Sequence, residues 1–533
     1  MKRKRTIINI IITLLFALVL FYFFLPPLNI SSPDFWTYVV FIIIVYIFIS
    51  LVGALEIKTG KYRGMAIPNG FKYLIIGTSI IFALILIVNL VISPIFNSKS
   101  YRSRITITEG NKFSDNIKEA DFSKMPLLDK DSSRKLGDRV MGEMQDLVSQ
   151  FTVSELYTQI NFNNQITRVT PLEYDGLIKY FTNKSEGVKG YITVDSVNGE
   201  TKLTRLDKGM KYMPSAYFFE NLERKLRFAY PTLIFGDESF ELDNEGNPFW
   251  IVPIIKYAGV GLREEISGVV ILDPITGKSK KYDVGKIPSW VDHVYNADLI
   301  LEQVDDWGLY TNGFWNSLFG QKNVTMTTEG YNYLVMEDDV YLYTGITSVV
   351  SDESNLGFIL CNMRTKETMY YLVPGAEEYS AMDSAKGQVQ EKNYTATFPL
   401  LINLEDRPTY LISLKDAAGL VKMYAFVDVQ DYQKVTVTDS SKGIEAASKN
   451  YLNNSKMTQD ESKTTTKDIT IKTITTTLID GNTYYYLTDT KDQKYRISIK
   501  INENLLPFLK LNEKVKVSYS KEKDVIEIIK ISK

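Results

Sequence analysis

The sequence predicts a mixed α+β protein with three transmembrane helices at its amino terminus. Three observations predict this class. The chain opens with three apolar runs, its middle repeats one hairpin pattern, and residues 468–533 alternate between apolar and polar positions. We therefore expect three membrane helices, tandem modules that each combine a small antiparallel sheet with a helix, and a small carboxyl-terminal β-barrel.

Length and composition set the first limits. A chain of 533 residues is long enough for several domains. Its formal net charge of −2 argues against a polyanion-binding protein. One cysteine, Cys361, and one histidine, His293, exclude an intrachain disulfide and a Cys/His zinc site built from one chain.

The three apolar runs are Thr6 to Leu25, Phe35 to Leu55 and Tyr73 to Ser93, and none contains a charged residue. About 20 apolar residues cross a hydrocarbon core of about 30 Å as a helix. Because a transporter usually needs ionisable groups within the bilayer, we interpret the runs as an anchor. The alternative is a lateral docking surface for another membrane protein.

The flanking charges predict the orientation. Lys2 to Arg5 precede the first run, the connection Pro26 to Asp34 has no basic residue, and the next connection holds Lys58, Lys61 and Arg63. Basic loops stay cytoplasmic, so we expect a cytoplasmic amino terminus in the cell membrane and extracytoplasmic residues 94–533. The first run ends in Phe-Leu-Pro-Pro without a small-residue cleavage site, which favours an uncleaved anchor over a signal peptide.

The middle of the chain contains an internal repeat. Gly190 to Lys202 and Gly268 to Lys280 share one spacing, an apolar strand followed by Asp-x-x-x-Gly and a second strand. Gly357 to Met369 repeats it with Asn362 for the Asp and Lys366 for the Gly, and a degenerate fourth copy begins at Ala425. The Asp or Asn side chain can bond the turn backbone and the Gly permits a positive φ, so each copy predicts a hairpin.

Strand-like segments precede three of these hairpins, and helix-compatible stretches follow all four. We therefore predict two to four α+β modules in tandem. The predicted division of the chain begins with a membrane anchor (1–94) and a helical or irregular connector (95–180). A first pair of modules (181–330) and further modules (331–452) follow. A linker (453–467) and a terminal barrel (468–533) complete the division.

The repeat resembles the PepSY family of extracytoplasmic modules, which carry an apolar strand, an Asp-x-x-x-Gly turn and a returning strand. Val269 to Tyr282 is the best match and Gly190 to Leu203 the second. The resemblance implies a binding module, often linked to restraint of peptidases or to cell-envelope proteins. It implies no catalytic residue.

The terminal segment 468–533 shows five strand-like stretches and resembles a small OB-fold barrel. Such barrels often bind nucleic acid. This one carries 12 basic and 9 acidic residues, too even a balance for a phosphate-binding surface. We expect no nucleic-acid partner.

A search for chemistry identifies no catalytic, cofactor-binding or metal-ligating residue. His293 has no Gly-x-Ser-x-Gly element to work with, so a structural role is favoured. Cys361 lies inside an apolar strand and is predicted to be buried and inert. Asp243 to Asn247 lacks the full ligand spacing of a calcium loop and is predicted to form a turn.

One aromatic segment is the candidate partner-binding loop. Asp305 to Gly320 contains five aromatic residues and three glycines. Such a loop could offer a platform to a sugar or a peptide, although packing between two modules is the favoured interpretation. The five candidate residues are Trp307, Tyr310, Phe314, Trp315 and Phe319.

The function expected from these features is non-enzymatic. We predict a membrane-anchored extracytoplasmic binding or scaffold protein of a bacterial, by composition Gram-positive, cell envelope. The alternatives are a PepSY-like regulator of a secreted peptidase and an envelope enzyme that uses carboxylates. The expected partners are the lipid bilayer and an envelope protein, such as a peptidase, a synthase or a secretion component, with a glycan as an alternative. No cofactor is expected.

Overall fold

The structure, a computed structural model, describes residues 2–52, 69–110, 113–143, 145–336, 339–349, 351–459, 465–479, 482–519 and 524–533. The chain divides into two units. The first holds residues 1–422 and 427–433, and the second holds 423–426 and 434–533.

Three long helices open the first unit: α1 (Lys2–Phe24), α2 (Pro33–Val52) and α3 (Asn69–Ile92). Each contains an apolar stretch of 19 or 20 residues, long and apolar enough to cross a membrane. The prediction of three apolar amino-terminal helices is confirmed. Lys58, Lys61 and Arg63, which carry the prediction of orientation, lie outside the described residues.

Short elements connect α3 to the first sheet. They are α4 (Pro94–Arg102), β1 (Ile107–Glu109), α5 (Phe113–Asn116), α6 (Lys130–Gly142) and α7 (Gln145–Val148). Asp129 caps α6, since its side chain accepts a hydrogen bond from the backbone N–H of Ser132 at 2.9 Å.

The first sheet contains β2 (Phe151–Val153), β3 (Thr158–Phe162), β4 (Gln165–Tyr174), β5 (Val188–Asp195) and β6 (Thr201–Met210), with α8 (Gly176–Asn183) between β4 and β5. Both β2 and β3 pair with β4, which pairs with β5, which pairs with β6. All these pairs are antiparallel.

The same order recurs in the second sheet, after α9 (Leu222–Ala229). Here β7 and β8 pair with β9, followed by β10 and β11. The strands are β7 (Ile234–Phe235), β8 (Ser239–Leu242), β9 (Pro248–Lys256), β10 (Glu265–Leu272) and β11 (Ser279–Asp283).

The third sheet repeats the order after α10 (Ala297–Leu309), and it is extended by β1, which lies parallel to β16, and by β17, which pairs with β15. The strands of the repeated order are β12 (Thr325–Thr327), β13 (Asn332–Met336), β14 (Asp339–Ser348), β15 (Ser351–Asn362) and β16 (Thr368–Tyr371), and the added strand β17 is Gly375–Ala376.

A fourth copy begins in the same way after α11 (Glu378–Gly387), because β18 and β19 both pair with β20. The strands are β18 (Thr395–Ala396), β19 (Leu400–Leu404), β20 (Arg407–Lys415) and β21 (Val421–Asp428). The boundary between the two units falls within β21.

The predicted hairpin turns are present and share one set of bonds. The side chains of Asp195 and Asp273 each accept hydrogen bonds from the backbone N–H groups two and three residues further along the chain. Asn362 does the same in the third copy. The residue four positions on has a positive φ in all three: 77° at Gly199, 69° at Gly277 and 64° at Lys366. The turn therefore depends on the Asp or Asn oxygen more than on glycine.

The second unit contains β22 (Val435–Asp439), α12 (Ile444–Gln459) and a six-stranded sheet. The order of that sheet is β27-β25-β24-β23-β26-β28, so among the described residues no pairing joins its two end strands. Closure into an OB-like barrel is not confirmed. The strands are β23 (Thr465–Ile479), β24 (Asn482–Asp489), β25 (Lys494–Ser498), β26 (Lys514–Tyr519), β27 (Val525–Glu527) and β28 (Lys530–Ser532).

The interval 95–180, predicted to be a helical or irregular connector, contains β1 to β4. The apolar positions from Leu136 to Phe151 follow helical spacing in the sequence, yet α6 ends at Gly142 and Phe151 begins β2. Met141, Leu147 and Phe151 are nevertheless buried in one core with the first sheet, so their apolar spacing reflects burial and not one continuous helix.

Candidate functional site

A cavity of about 660 Å³ lies in the first unit. All four modules line it, for example through Gln159 on β3, Ser239 on β8, Tyr333 on β13 and Leu411 on β20. Pockets for small molecules typically measure about 300–1,000 Å³. The cavity is therefore large enough for a small ligand or for the end of a larger one.

Arg168 is a buried cation in the wall of this cavity. It lies on β4 and is 7% exposed. Among the described residues no carboxylate forms an ion pair with its guanidinium, and its Nε has no hydrogen-bond partner. Burial lowers the pKa of Arg168 to about 10, and the charge of Asp129 opposes that effect. The group therefore remains positively charged at neutral pH.

Gln159 lies beside Arg168, because the two residues are directly opposite each other in the β3–β4 pair. Directly opposed residues of an antiparallel pair extend to the same face of a sheet. Gln159 is 2% exposed, and neither its Nε2 nor its Oε1 has a hydrogen-bond partner. Leaving a buried polar group unpaired costs about 1–3 kcal/mol. Two adjacent polar side chains thus face this cavity with their bonding capacity unused.

Asp129, the carboxylate whose charge acts on Arg168, is already bound to other groups. Asp129 accepts a charge-assisted hydrogen bond from Lys415 Nζ and a hydrogen bond from the backbone N–H of Ser132. Burial acts to raise the pKa of Asp129, but these donors outweigh it and hold the pKa below its ordinary value. Asp129 is therefore an ionised carboxylate that Lys415 neutralises, and Arg168 is left without an anion of its own.

Other carboxylates also line the cavity: Asp237, Glu238 and Asp298. Burial raises the pKa of Glu238. The lining therefore offers hydrogen-bond acceptors in addition to the cation, and it suits a ligand that has both an anionic group and hydrogen-bond donors.

The single histidine is at this site but is held by its neighbours. His293 Nε2 lies 2.7 Å from the backbone oxygen of Gln159, and its ring meets that of Tyr333 edge to face at 5.7 Å. Its backbone N–H donates to Glu241, which also accepts from the N–H of Asp292. Burial raises the pKa of Glu241, and His293 opposes that rise. These contacts connect β3, β8 and the segment before α10.

The aromatic loop chosen from the sequence lies outside the cavity lining, and four of its rings, from Tyr310 to Phe319, contact one another in succession. Trp307 is on α10 under the Arg102 guanidinium, 5.1 Å from the ring centroid, and Tyr310 and Phe314 stack on each other. Trp315 and Phe319 stack at 5.9 Å and are 62% and 79% exposed. These two are the most exposed of the five, and a partner-binding role for the loop remains a prediction.

Cys361 and Asp243, the other residues considered from the sequence, have contacts that serve the fold. Cys361 is buried as predicted, and burial raises the pKa of its thiol to about 11. Asp243 closes a turn by accepting from the N–H groups of Glu245 and Asn247. In the described part of the chain, no group of three or more His, Cys, Asp or Glu side chains is arranged to hold a metal ion.

The chain matches no family model, and a search of curated proteins finds no match. The resemblance to PepSY modules remains a prediction.

Sequence reasoning missed Arg168 and Gln159. The segment from Gln165 to Tyr174 contains one charged side chain, Arg168, before its Glu173. A lone arginine in a strand that is otherwise buried on both faces was the available signal. It carries information only once the strand is known to be covered on both faces, which depends on contacts far along the chain.

Proposed function

We propose that this protein is a membrane-anchored, extracytoplasmic binding protein of a bacterial cell envelope, and that its cavity receives the oxyanion of a small ligand or of a polymer end on Arg168. The observation that carries the proposal is a buried, charged guanidinium that faces a 660 Å³ cavity and is paired with no carboxylate in the described part of the chain. The three apolar helices support the anchor.

The physical argument rests on the cost of burying charge. A buried ion that lacks a partner destabilises a fold by several kcal/mol, and an arginine cannot reduce this cost by losing its proton at neutral pH. An arriving carboxylate or phosphate supplies the missing bidentate partner in the geometry that guanidinium prefers. Gln159 adds an amide donor next to it, and the carboxylates on the wall accept bonds from donors on the ligand.

The absence of an activated nucleophile among the described cavity residues favours binding over catalysis. His293 Nε2 contacts a backbone oxygen. Cys361 lies on β15, with its Sγ accepting a hydrogen bond from Thr368. A scaffold or escort role in the envelope accords with this chemistry.

The test uses the full chain in detergent micelles and measures the shift in thermal midpoint caused by matched probes. The first probe is inorganic phosphate. The second is a dipeptide with a free carboxylate, compared with the same dipeptide as its neutral amide. The third is a uronic acid, compared with the corresponding neutral sugar. A ligand at about 100 times its Kd stabilises the folded state by about 2.7 kcal/mol. We expect an anionic probe to raise the midpoint and its neutral counterpart to have no effect.

Arg168→Met should abolish that shift. The matched control is Arg205→Met, because Arg205 is exposed on the same sheet and pairs with Asp146 at 2.8 Å. A shift that survives in Arg168→Met, or the lack of a shift with every anionic probe, would contradict the proposal. The phosphate, peptide and sugar arms separate the sources of the oxyanion.

A further inference from the structure

A group of apolar side chains is exposed on the first unit outside its cores. On α8, Tyr180 is buried, whereas Ile178 is 77% exposed and Phe181 also faces outward. Phe218 and Phe219 are exposed in the segment before α9, and the ring of Phe218 lies 5.9 Å from that of Phe181. These four residues are here called the apolar rim: Ile178 lies three residues before Phe181 on α8, where side chains share a helix face, and Phe218 and Phe219 are consecutive. Contiguous apolar patches on soluble surfaces mark interaction sites.

Contacts with α1 fix the position of the apolar rim. Arg227 of α9 donates from Nε to the backbone oxygen of Leu25 at 2.8 Å. The Arg224 guanidinium lies 4.4 Å from the ring centroid of Tyr22, and the Phe219 ring lies 5.6 Å from the same ring. Tyr22 is in the last turn of the apolar stretch that ends at Phe24. The rim therefore lies level with the point where an inserted α1 would leave the hydrocarbon.

A second set of contacts joins the loop between β9 and β10 to α3 and to the segment before α2. The Asn89 side chain exchanges two hydrogen bonds with the backbone of Val260, at 2.9 and 3.0 Å. Gly261 N–H donates to Ser31 O at 3.0 Å, just before α2. Asn89 is thus the partner of a loop between β9 and β10. Attachments at α1 and at α3 fix which face of the unit is turned toward the helix ends.

We infer that Ile178, Phe181, Phe218 and Phe219 insert into the outer leaflet of the membrane that the three apolar helices cross. This inference rests on the proposed membrane anchor. Apolar helix faces that carry Phe, Trp or Leu bury themselves by about 5–10 Å at the boundary between hydrocarbon and headgroups. Lys184 lies with its Nζ 5.1 Å from the Phe181 ring centroid, as expected for a lysine whose stem covers apolar surface while its ammonium reaches the headgroups.

Lipid is the occupant that the geometry favours, because the rim is continuous with the lipid-facing surface of α1 through Tyr22 and Phe219. The Phe228 ring extends the same contact to Phe21 at 5.7 Å. A protein partner on the rim would also have to displace the lipid around these α1 residues.

The experiment places a fluorophore on the rim of the full chain in lipid vesicles. Ile178→Cys and, separately, Phe181→Cys are labelled with an environment-sensitive dye. The wild-type chain, whose only cysteine is buried, gives the labelling background. The vesicles contain phosphatidylglycerol and phosphatidylcholine brominated either near the headgroup or near the chain end. We expect both rim probes to lose most of their fluorescence with the shallow bromine and little with the deep one.

Two further positions separate the possible failures. Leu15→Cys lies in the middle of the apolar stretch of α1 and should be quenched by the deep bromine. Leu420→Cys is an exposed leucine of the fourth module and should not be quenched. If Leu15 is quenched while the rim probes behave like Leu420, the inference is wrong and the anchor stands. If Leu15 is not quenched, the anchor itself is wrong and the inference falls with it.

Discussion

Two buried arginines in the first unit have opposite surroundings. Arg104, just after α4, lies 2.6 Å from Glu302 and 2.6 Å from Asp306, and its third carboxylate, Glu265, is at 3.6 Å. Its guanidinium also donates to the backbone oxygen of Glu264 at 2.7 Å. Arg168, equally buried, has no described carboxylate paired to it. An arginine side chain is thus paired with three carboxylates at position 104 and with no described carboxylate at position 168.

The difference separates structural burial from functional burial. Arg104 ties the segment after the apolar helices to α10 and to β10, so its charge is used within the fold. Arg168 contributes no described ion pair to the fold, which leaves its charge available to a ligand. Proteins commonly accept a local loss of stability where a site needs an unsatisfied group.

The largest expected effect comes from removing the satisfied arginine. Arg104→Met leaves Asp306 buried on α10 without its cation, and breaking a buried pair from one side costs about 3–5 kcal/mol. We expect the free energy of unfolding of the full chain in micelles to fall by that order. The control is Arg134→Met, since Arg134 and Glu155 form an exposed pair and such pairs contribute about 0–1 kcal/mol. Equal losses in the two variants would contradict the structural role of Arg104.

The contrast also shows where sequence reasoning succeeded. The hairpin turns depend on residues within five positions of one another, so Asp273 and Gly277 were enough to predict a turn that the structure contains. The apolar helices likewise depend on a continuous stretch of chain. Local patterns of this kind can be read before any tertiary contact is known.

The buried arginines could not be predicted, because their surroundings come from distant segments. The partners of Arg104 lie about 160–200 residues further on, and the missing partner of Arg168 is apparent only when four modules surround it. The acidic pair Asp305 and Asp306 illustrates the same limit. Adjacent acidic residues are usually found on solvated faces or in turns, yet this pair is on α10, where Asp306 binds Arg104 and Asp305 accepts from Thr327 N–H.

A buried glutamate can lose its charge by protonation, whereas a buried arginine keeps its charge at neutral pH. Glu378, on α11, is fully buried, and its carboxyl accepts from the Asn355 side chain at 3.1 Å; none of its described contacts is a cation. Burial raises the pKa of Glu378. A carboxyl group can therefore escape the cost of burial by staying protonated, whereas Arg168 stays charged.

This predicts a pH dependence with a defined sign. Because the folded-state pKa of Glu378 lies above its ordinary value of 4.5, the folded chain holds a proton that the unfolded chain has lost between the two values. Its contribution is complete below the ordinary value and is lost as the pH rises through the folded one, with a slope of at most about 1.4 kcal/mol per pH unit. Glu378→Gln should remove this fall from the unfolding free energy.

The measurement compares the wild-type chain with Glu378→Gln at a series of pH values. The difference in unfolding free energy between the two should change across the window and be constant below it. A matched control is Glu391→Gln, an exposed glutamate in the segment after α11, because it makes the same change of charge away from Glu378. Parallel curves for wild type and Glu378→Gln would show that Glu378 is ionised when folded.

The smallest effect on stability is expected at the unpaired arginine. Arg168→Met removes a buried charge that forms no ion pair with any described anion, and it fills the place with an apolar chain of similar length. Such replacements are neutral or stabilising, so the unfolding free energy should stay within about 1 kcal/mol of wild type or rise. The same variant should lose the midpoint shift caused by an anionic probe, while Arg104→Met, where it folds, should keep it. A loss of stability as large as that of Arg104→Met would mean that the fold itself uses the Arg168 charge, and Arg168 would then not be free to bind an anionic ligand.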